Sequence, residues 1–201
     1  MKKTALIIGI TGQDGSYLAK FLLSKDYEVW GTSRDAHGSN LLNLKKLDIL
    51  NKVKLLSMQP EDFRSVLVAM QKSLPDEVYS LAGQSSVSLS FNQPVETVQS
   101  ITIGTLNLLE SCRMLEKSPR VYYAGSSEAF GNTNGIKASE KTLFHPRSPY
   151  ATSKTFAHYT VQNYREAYNL HAVNGILFNH ESPLRGEEFI TRKITLGLSK
   201  I

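Results

Sequence analysis

Tyr150 and Lys154 are the two side chains whose types and spacing most directly indicate chemistry. Ser148 can cap a helix and Pro149 suits the first helical turn, so a helix is predicted to begin here. Residues four apart on a helix share one face. An ammonium group beside a phenol stabilises the phenolate, and the pair would then be a base that works near neutral pH. Taken alone, Tyr-x-x-x-Lys could equally be an exposed helix start.

A serine and a glutamate precede this helix, in the stretch Gly125-Ser126-Ser127-Glu128 at the end of a predicted strand. The hydroxyl of Ser126 can hydrogen-bond an oxygen on which negative charge develops, and Glu128 could act as a second base. Doubly wound sheets bind ligands outside the carboxyl ends of their strands, so both side chains are expected at that edge. The simpler alternative for Glu128 is a surface carboxylate at the start of a loop.

Three glycines follow the first predicted strand with the spacing G-x-x-G-x-x-G, at Gly9, Gly12 and Gly15. Glycines let the backbone turn tightly and approach a pyrophosphate, whose charge meets the free N–H groups of the next helix. The spacing is weak evidence by itself. Between a strand and a helix, it predicts a dinucleotide site.

The end of the second predicted strand bears on which dinucleotide binds. An acid there would bond the ribose 2′-hydroxyl of NAD, whereas an arginine would accommodate the 2′-phosphate of NADP. Ser33 is not an acid and Arg34 follows it, which favours NADP, although Asp35 could repel the phosphate or simply face water. After strand three, Asp62 could bind the adenine amino group or cap the next helix, and these two roles are compatible.

Strand and helix patterns alternate along the whole chain. Strands are predicted at 4–8, 28–32, 53–57, 77–81, 120–124 and 172–178, and helices at 17–23, 63–72, 95–115, from 150 to about 168 and from about 190. This alternation is typical of an α/β fold with a doubly wound parallel sheet. The expected division is a dinucleotide-binding Rossmann domain with the catalytic residues at 1–178, and the start of a substrate-binding region at 179–201.

Composition excludes several classes of protein. The 201 residues are 41% hydrophobic and 20% charged, and their net charge of +5 is scattered, so a nucleic-acid partner is not expected. The apolar runs are too short to span a bilayer, so no membrane partner is expected either. Cys112 is the only cysteine, which excludes an internal disulfide and fits a cytoplasmic location. It is expected to be a small buried side chain.

Several stretches together carry a resemblance to a known family. The glycine loop, the Ser126–Glu128 stretch and the Tyr150–Lys154 pair resemble the extended short-chain dehydrogenase/reductase superfamily. Within it, Asn179-His180-Glu181-Ser182-Pro183-Leu184-Arg185, followed by Thr191-Arg192-Lys193, closely resembles the GDP-mannose 4,6-dehydratase family. Segments 81–87 and 104–110 fit the same family. The resemblance covers all 201 residues and implies that most of a C-terminal substrate domain is absent.

The resemblance implies roles for individual residues. NADP would be held by Gly9, Thr11, Gly12, Gln13, Asp14, Gly15, Arg34, Asp62, Phe63, Leu81, Ala82, Gly83, Gln84, Ser85, Tyr150, Lys154, His180 and Arg185. GDP-mannose would contact Ser86, Asn179, Ile190 and Lys193. The catalytic set would be Ser126, Glu128, Tyr150 and Lys154. Two residues depart from the family: Ser126 stands where it has threonine, and Glu96 where many members have a tyrosine that lines the cofactor.

The activity implied is NADP-dependent dehydration of GDP-mannose to GDP-4-dehydro-6-deoxy-mannose. The sugar is oxidised at C4, loses the C5 proton and the C6 hydroxyl, and takes hydride back at C6. Tyr150 with Lys154 would serve the oxidation and Glu128 the C5 proton. A related NADP-dependent sugar-nucleotide reductase or epimerase, or an inactive cofactor-binding fragment, remain as alternatives. The family also implies a homo-oligomer, a dimer or a tetramer, for the full-length form.

Overall fold

A single parallel sheet forms the centre of the molecule. The computed structural model describes residues 2–38 and 41–201. Its strands lie in the order β3-β2-β1-β4-β5-β6. Their bounds are Thr4–Ile8 (β1), Glu28–Ser33 (β2), Lys54–Ser57 (β3), Glu77–Ser80 (β4), Arg120–Ser126 (β5) and Ala172–Leu177 (β6). The order reverses between β1 and β4, where doubly wound sheets bind their ligands. The predicted fold class is confirmed.

Helices cover both faces of this sheet. Their bounds are Gln13–Ser24 (α1), Leu42–Lys46 (α2), Phe63–Ser73 (α3), Val87–Asn92 (α4), Pro94–Val98 (α5), Gly104–Met114 (α6), Pro149–Tyr168 (α7) and Ile190–Leu198 (α8). Successive residues of a strand point to opposite faces. In β1, Leu6 and Ile8 therefore join an apolar cluster with α3, α6 and α7, while Ala5 and Ile7 join a second cluster with α1 and α2.

Side-chain caps fix where two of these helices begin. The Asp62 carboxylate accepts the backbone N–H groups of Arg64 and Ser65 at 2.9 and 3.3 Å, so the capping role of Asp62 is confirmed. At α7, the Ser148 hydroxyl accepts the N–H of Ala151 at 3.0 Å, and the helix begins at the next residue, a proline, as predicted. A capping hydrogen bond of this kind contributes about 1 kcal/mol.

The prediction of one uninterrupted helix over 95–115 is wrong. A π-helical turn at Gln99–Ile103 separates α5 from α6. The hydroxyls of Thr97, Thr102 and Thr105 each donate to the carbonyl four residues earlier, at 2.6–2.7 Å. Such bonds compete with the backbone ladder and bend helices. The turn also brings Gly104 so close to the loop after β3 that an added Cβ would lie 2.9 Å from Pro60.

Cys112 is fully buried in α6, as expected, and burial raises the pKa of its thiol to about 12. Among the residues that the structure describes, no helix is long and apolar enough to cross a bilayer.

Candidate active site

An open cleft lies at the carboxyl edge of the sheet, above β1, β4, β5 and β6. Its volume is about 900 Å³, counting the solvent at its mouth. Most of the predicted site residues line it: Gly9, Gly12, Gln13, Asp14, Gly15, Leu81, Ala82, Gly83, Ser85, Ser126, Tyr150, Lys154, Asn179, His180 and Arg185. Four further lining residues had no role predicted from the sequence: Ala124, Gly125, Leu177 and Phe178. These four residues lie at the carboxyl ends of β5 and β6. Because ligands bind at that edge of a doubly wound sheet, their position after predicted strands could have identified them.

The other predicted residues lie outside the lining of this cleft: Thr11, Arg34, Asp62, Phe63, Gln84, Ser86, Glu128, Ile190 and Lys193. Arg34 and Asp62 follow β2 and β3, further along the same sheet edge. The Ser86 hydroxyl caps α4 by accepting the N–H of Leu89 at 3.3 Å. Ile190 and Lys193 are exposed on α8.

The glycine loop forms a tight cradle between β1 and α1. Gly9 has a φ of +89°, a conformation that side chains rarely adopt. A Cβ added at Gly15 would lie only 2.3 Å from the carbonyl oxygen of Gly9, so this position requires glycine. The loop leads directly into the N-terminus of α1, whose N–H groups favour an anion. The residues present therefore fit a dinucleotide pyrophosphate.

Lys154 and Tyr150 both face the cleft from α7, which confirms that they share one face. The Lys154 ammonium donates to the carbonyl of Ala124 at 2.8 Å and lies 5.8 Å from the Tyr150 ring centroid. The lysine is 6% exposed. Burial lowers the pKa of Lys154, and the phenol of Tyr150 acts in the opposite direction. The pair thus places a cation beside a phenol inside the cleft.

Ser126 and Glu128 are joined by a short contact at the end of β5. The backbone N–H of Glu128 donates to the Ser126 hydroxyl at 3.2 Å, and that serine lines the cleft. Glu128 is half-buried within a 3₁₀ helix, Ser127–Phe130, rather than in the open loop that was predicted. The Ser126 side chain caps this helix. The proposed role of the Glu128 carboxylate as a base stays a prediction.

A hydrogen-bond network ties the segment after β6 to the start of α1. The His180 imidazole lies 2.8 Å from the Asp14 carboxylate and 2.7 Å from the carbonyl of Phe178. The Phe178 carbonyl and the Asp14 carboxylate hold the pKa of His180 above its usual range. Ser182 donates to the side chain of Gln13 at 2.8 Å. No role was predicted for Ser182, although it lies within the family-like segment.

Arg185 is held against its own segment. Its guanidinium lies 3.5 Å from the centroid of the Phe189 ring and pairs with Glu181 at 3.3 Å. Stacking of this kind is typical of arginine, whose flat cation rests on aromatic faces. The contacts fix the loop that brings Asn179 to the cleft.

Comparison with known proteins identifies the family. The model of the family described as GDP-mannose 4,6 dehydratase matches residues 6–201. The chain belongs to this family. GDP-mannose 4,6-dehydratases of Vibrio cholerae and Arabidopsis thaliana (the form numbered 2) are 48% and 50% identical to it over 208 and 210 residues. Each match covers all of this chain and 56% of the relative, so the chain spans about half the length of the GDP-mannose 4,6-dehydratases it matches.

Solved structures of two sugar-nucleotide enzymes share the fold. The UDP-glucose 4-epimerase of Thermus thermophilus, solved with NAD, has a TM-score of 0.84 at 27% identity and covers 96% of this chain and 60% of its own. DesIV of Streptomyces venezuelae, a dTDP-glucose 4,6-dehydratase, has a TM-score of 0.87 at 21% identity, over 98% of this chain and 62% of its own. The predicted Rossmann fold of this GDP-mannose 4,6-dehydratase family member is confirmed.

Proposed function

We propose that this chain acts in the NADP-dependent dehydration of GDP-mannose to GDP-4-dehydro-6-deoxy-mannose, as a hydro-lyase. The main support is the position of Ser126 and Glu128 at the end of β5 and just after it, at the sheet edge where Tyr150 and Lys154 face the cleft. Membership of the family supports the same reaction. A C4 oxidation and a C5 deprotonation need two separate bases, and this edge offers a phenol and a carboxylate.

The cofactor proposal rests on the glycine cradle and on the end of β2. The cradle suits a pyrophosphate, and Arg34 is exposed at the strand end with no hydrogen bond or ion pair to any described residue. The Asp35 carboxylate accepts the N–H groups of His37 and Gly38 at 3.0 and 2.8 Å. These two hydrogen bonds tie the Asp35 carboxylate to its own loop. Its negative charge could otherwise repel a 2′-phosphate. The chemistry that NADP would supply when bound is acceptance of a hydride from sugar C4 and its return to C6.

The side chains around the cleft would divide the proton transfers. Tyr150, as phenolate beside the Lys154 ammonium, removes the proton of the sugar 4-hydroxyl, while Ser126 hydrogen-bonds the same oxygen. The ketone at C4 acidifies the C5 proton, which Glu128 removes. Elimination forms the C5–C6 double bond, and the proton that Glu128 took from C5 would leave with the C6 hydroxyl as water. After C6 is reduced, C5 would take up a proton, which balances the proton that Tyr150 removed from the 4-hydroxyl, and the deoxysugar is complete.

The substrate would meet residues both inside and outside the cleft. Asn179 lines the cleft, whereas Ser86, Ile190 and Lys193 lie outside its lining and would meet GDP-mannose only as it extends beyond the cleft. The division into a cofactor domain at 1–178 and the start of a substrate region at 179–201 belongs to the same proposal. So do a cytoplasmic location, a homo-oligomer, and the absence of nucleic-acid and membrane partners.

One specific observation favours a second candidate function. The fold is shared with a UDP-glucose 4-epimerase at 27% identity, and a C4 epimerase or reductase needs the Tyr–Lys pair and a hydroxyl but no further base. Glu128 is the residue that separates the two functions. A third outcome is a chain that binds the cofactor without catalysis.

The deciding experiment supplies GDP-mannose or, separately, a UDP-sugar, each with NADP, to this chain and to a form extended to the length of its relatives. The expected product has lost one water and carries a 4-keto group, which mass spectrometry and borohydride reduction detect. Tyr150→Phe is the inactive control. An isomer of unchanged mass, or a product formed only from a UDP-sugar, would overturn the proposal in favour of the epimerase. Cofactor binding without any product would leave a binding function only.

A further inference from the structure

We propose that Tyr123 is a positioning residue, whose ring under Lys154 keeps the buried ammonium charged and in place for Tyr150. This proposal deepens the function proposed above and rests on it. Tyr123 lies on β5, three residues before Ser126, and no role was predicted for it from the sequence. Its side chain does not line the cleft, so it acts through the lysine rather than on a substrate.

The geometry around the ammonium singles out this ring. Lys154 Nζ lies 4.9 Å from the centroid of Tyr123, closer than the 5.8 Å to the centroid of Tyr150. Both distances fall inside the range of about 6 Å in which a cation is attracted to an aromatic face. Tyr123 packs under the lysine from the sheet, whereas Tyr150 flanks it on its own helix. The ammonium thus lies within about 6 Å of the centroids of two aromatic rings.

Little else compensates the buried charge. Its one hydrogen bond to a described residue goes to the carbonyl of Ala124 on β5. No carboxylate in the described ranges, 2–38 and 41–201, forms an ion pair with it. Burial lowers the pKa of Lys154, and Tyr150 is the only titratable group that opposes this shift among those residues. An isolated buried ammonium tends to lose its proton, so the face of a second ring is a substantial part of its support.

The Tyr123 ring is itself fixed from the other side. It is 3% exposed within the larger apolar cluster, and it lines a small cavity together with Thr105 of α6. Burial raises the pKa of Tyr123. Thr105 in turn donates to the carbonyl of Ile101 at 2.6 Å, in the π-helical turn. Tyr123 is therefore enclosed in the core beside α6, while its ring lies under the Lys154 ammonium.

The role predicts a particular change in pH dependence. The working state combines the Tyr150 phenolate with the Lys154 ammonium. The ring stabilises the ammonium equally whether Tyr150 is protonated or not, so its removal should leave the acid side of the rate profile nearly unmoved. Loss of the lysine proton ends activity at high pH, and removal of the ring should bring that loss to lower pH by about 0.5–1 unit. The bell-shaped profile should narrow from its alkaline side alone.

The test measures the Lys154 proton directly and does not depend on turnover. The chain is labelled with nitrogen-15 at its lysine side chains and titrated by NMR, and the Lys154 signal is assigned by its loss in Lys154→Met. Tyr123→Leu should lower the pKa of Lys154 by about 0.5–1 unit, while Tyr123→Phe, which keeps the ring, should restore it. Tyr79→Leu, which removes a sheet tyrosine with no cation over its ring among the described residues, should leave it unchanged.

A second comparison covers the case in which Tyr123→Leu fails to fold. Phenylalanine and trifluorophenylalanine incorporated at position 123 have nearly the same shape, but fluorine withdraws the negative charge from the ring face. The fluorinated form should lower the pKa of Lys154 relative to the phenylalanine form. Equal values in these two forms, or no difference between Leu and Phe at 123, would overturn the role of the ring. If the lysine shift is found but no dehydration occurs, the proposed function fails and the positioning role stands.

Discussion

His180 and Asp14, 166 residues apart in the chain, form an ion pair in which the imidazole Nε2 lies 2.8 Å from the carboxylate. The other ring nitrogen faces the carbonyl of Phe178 at 2.7 Å. Both partners can only accept hydrogen bonds, so the arrangement favours the ring that carries protons on both nitrogens. The pair fastens the segment after β6 to the first turn of α1, beside the glycine cradle.

This relationship predicts a pH-dependent part of the stability. Because the folded state raises the pKa of His180, the added stability is fully present below about pH 6.5 and disappears as pH rises through the higher folded-state pKa. The pair is partly exposed, so it should contribute no more than about 1 kcal/mol to the free energy of unfolding. Urea unfolding at pH 5.5 and 8.5 should show a smaller pH-dependent difference in His180→Gln than in the parent.

His171 supplies the control for that measurement. It is exposed just before β6, and no side-chain hydrogen bond to a described residue involves its ring. His171→Gln should keep the parent's pH dependence. An identical loss in both variants, or none in His180→Gln, would show that the ion pair does not couple to folding.

The second prediction concerns cofactor preference. Arg34 is the exposed cation at the end of β2. If it meets a 2′-phosphate, Arg34→Ala should weaken NADP binding about 10- to 100-fold, the range for a charge-assisted hydrogen bond, and barely alter NAD binding. Isothermal titration calorimetry with each cofactor measures both affinities. The control is Arg64→Ala, which removes an exposed arginine in the first turn of α3. Equal losses for NADP and NAD would contradict the assignment.

Local features of the site could be predicted from the sequence because they depend on near neighbours. Ser148, Pro149 and the four-residue spacing that follows are enough to begin α7 and place Tyr150 and Lys154 together. The glycine loop was equally predictable, since short-range crowding alone requires glycine at position 15. The strands were found within two residues. The end of β5 was missed because Gly125 and Ser126 are strand residues only through their pairing with β6.

Features that depend on contacts between distant segments could not be predicted. The His180–Asp14 pair requires that the loop after β6 returns to α1, and a charged pair 166 residues apart leaves no periodic signal. The position of Tyr123 under Lys154 is hidden in the same way, because a buried strand tyrosine looks like ordinary core. The π-helical turn reflects competition from threonine hydroxyls, which helical periodicity does not register.

The third prediction tests the cradle by adding a single carbon. In Gly15→Ala the new Cβ would meet the backbone of Gly9, which cannot yield as a flexible side chain would. The variant should lose about 1–3 kcal/mol of stability, the usual cost of overpacking, together with its cofactor binding. Gly197→Ala is the control, because a Cβ there meets nothing within 4 Å and alanine favours the helix. Melting temperature and cofactor fluorescence should fall only in the first variant; parent-like values for it would mean that the cradle tolerates a side chain.

The fourth prediction concerns the surface of α8. Ile190, Ile194 and Leu198 lie on one face of the helix and are 74%, 54% and 66% exposed. Apolar groups gathered on one face promote association. This chain should bind a hydrophobic dye at neutral pH and aggregate, and the double change Ile194→Lys with Leu198→Lys should reduce both effects. Thr195→Lys adds a charge at an exposed position and serves as the control. A monomeric parent that melts cooperatively without dye binding would contradict the expectation.

The last prediction separates a dehydratase from an enzyme that only oxidises or reduces at C4, in a form that turns over GDP-mannose. Glu128→Gln keeps the size of the side chain and removes the base for the C5 proton. Oxidation by Tyr150 and Lys154 should survive, so NADPH absorbance should appear on mixing and persist at its equilibrium level, because transfer of the hydride to C6 needs the C5–C6 alkene and only reversal to C4 stays open. Turnover should fall by about 10²–10⁴-fold, the usual contribution of a general base.

Two matched variants make that result specific. Tyr150→Phe should abolish the absorbance change altogether, since oxidation itself then fails. Glu140→Gln, which changes an exposed glutamate in the loop before α7, should behave as the parent does. Stopped-flow absorbance gives the oxidation step and mass spectrometry the water loss, so the two steps are followed independently. Normal turnover in Glu128→Gln, or a failure of this variant to form NADPH, would show that the role assigned to Glu128 is wrong and would favour the epimerase or reductase alternative.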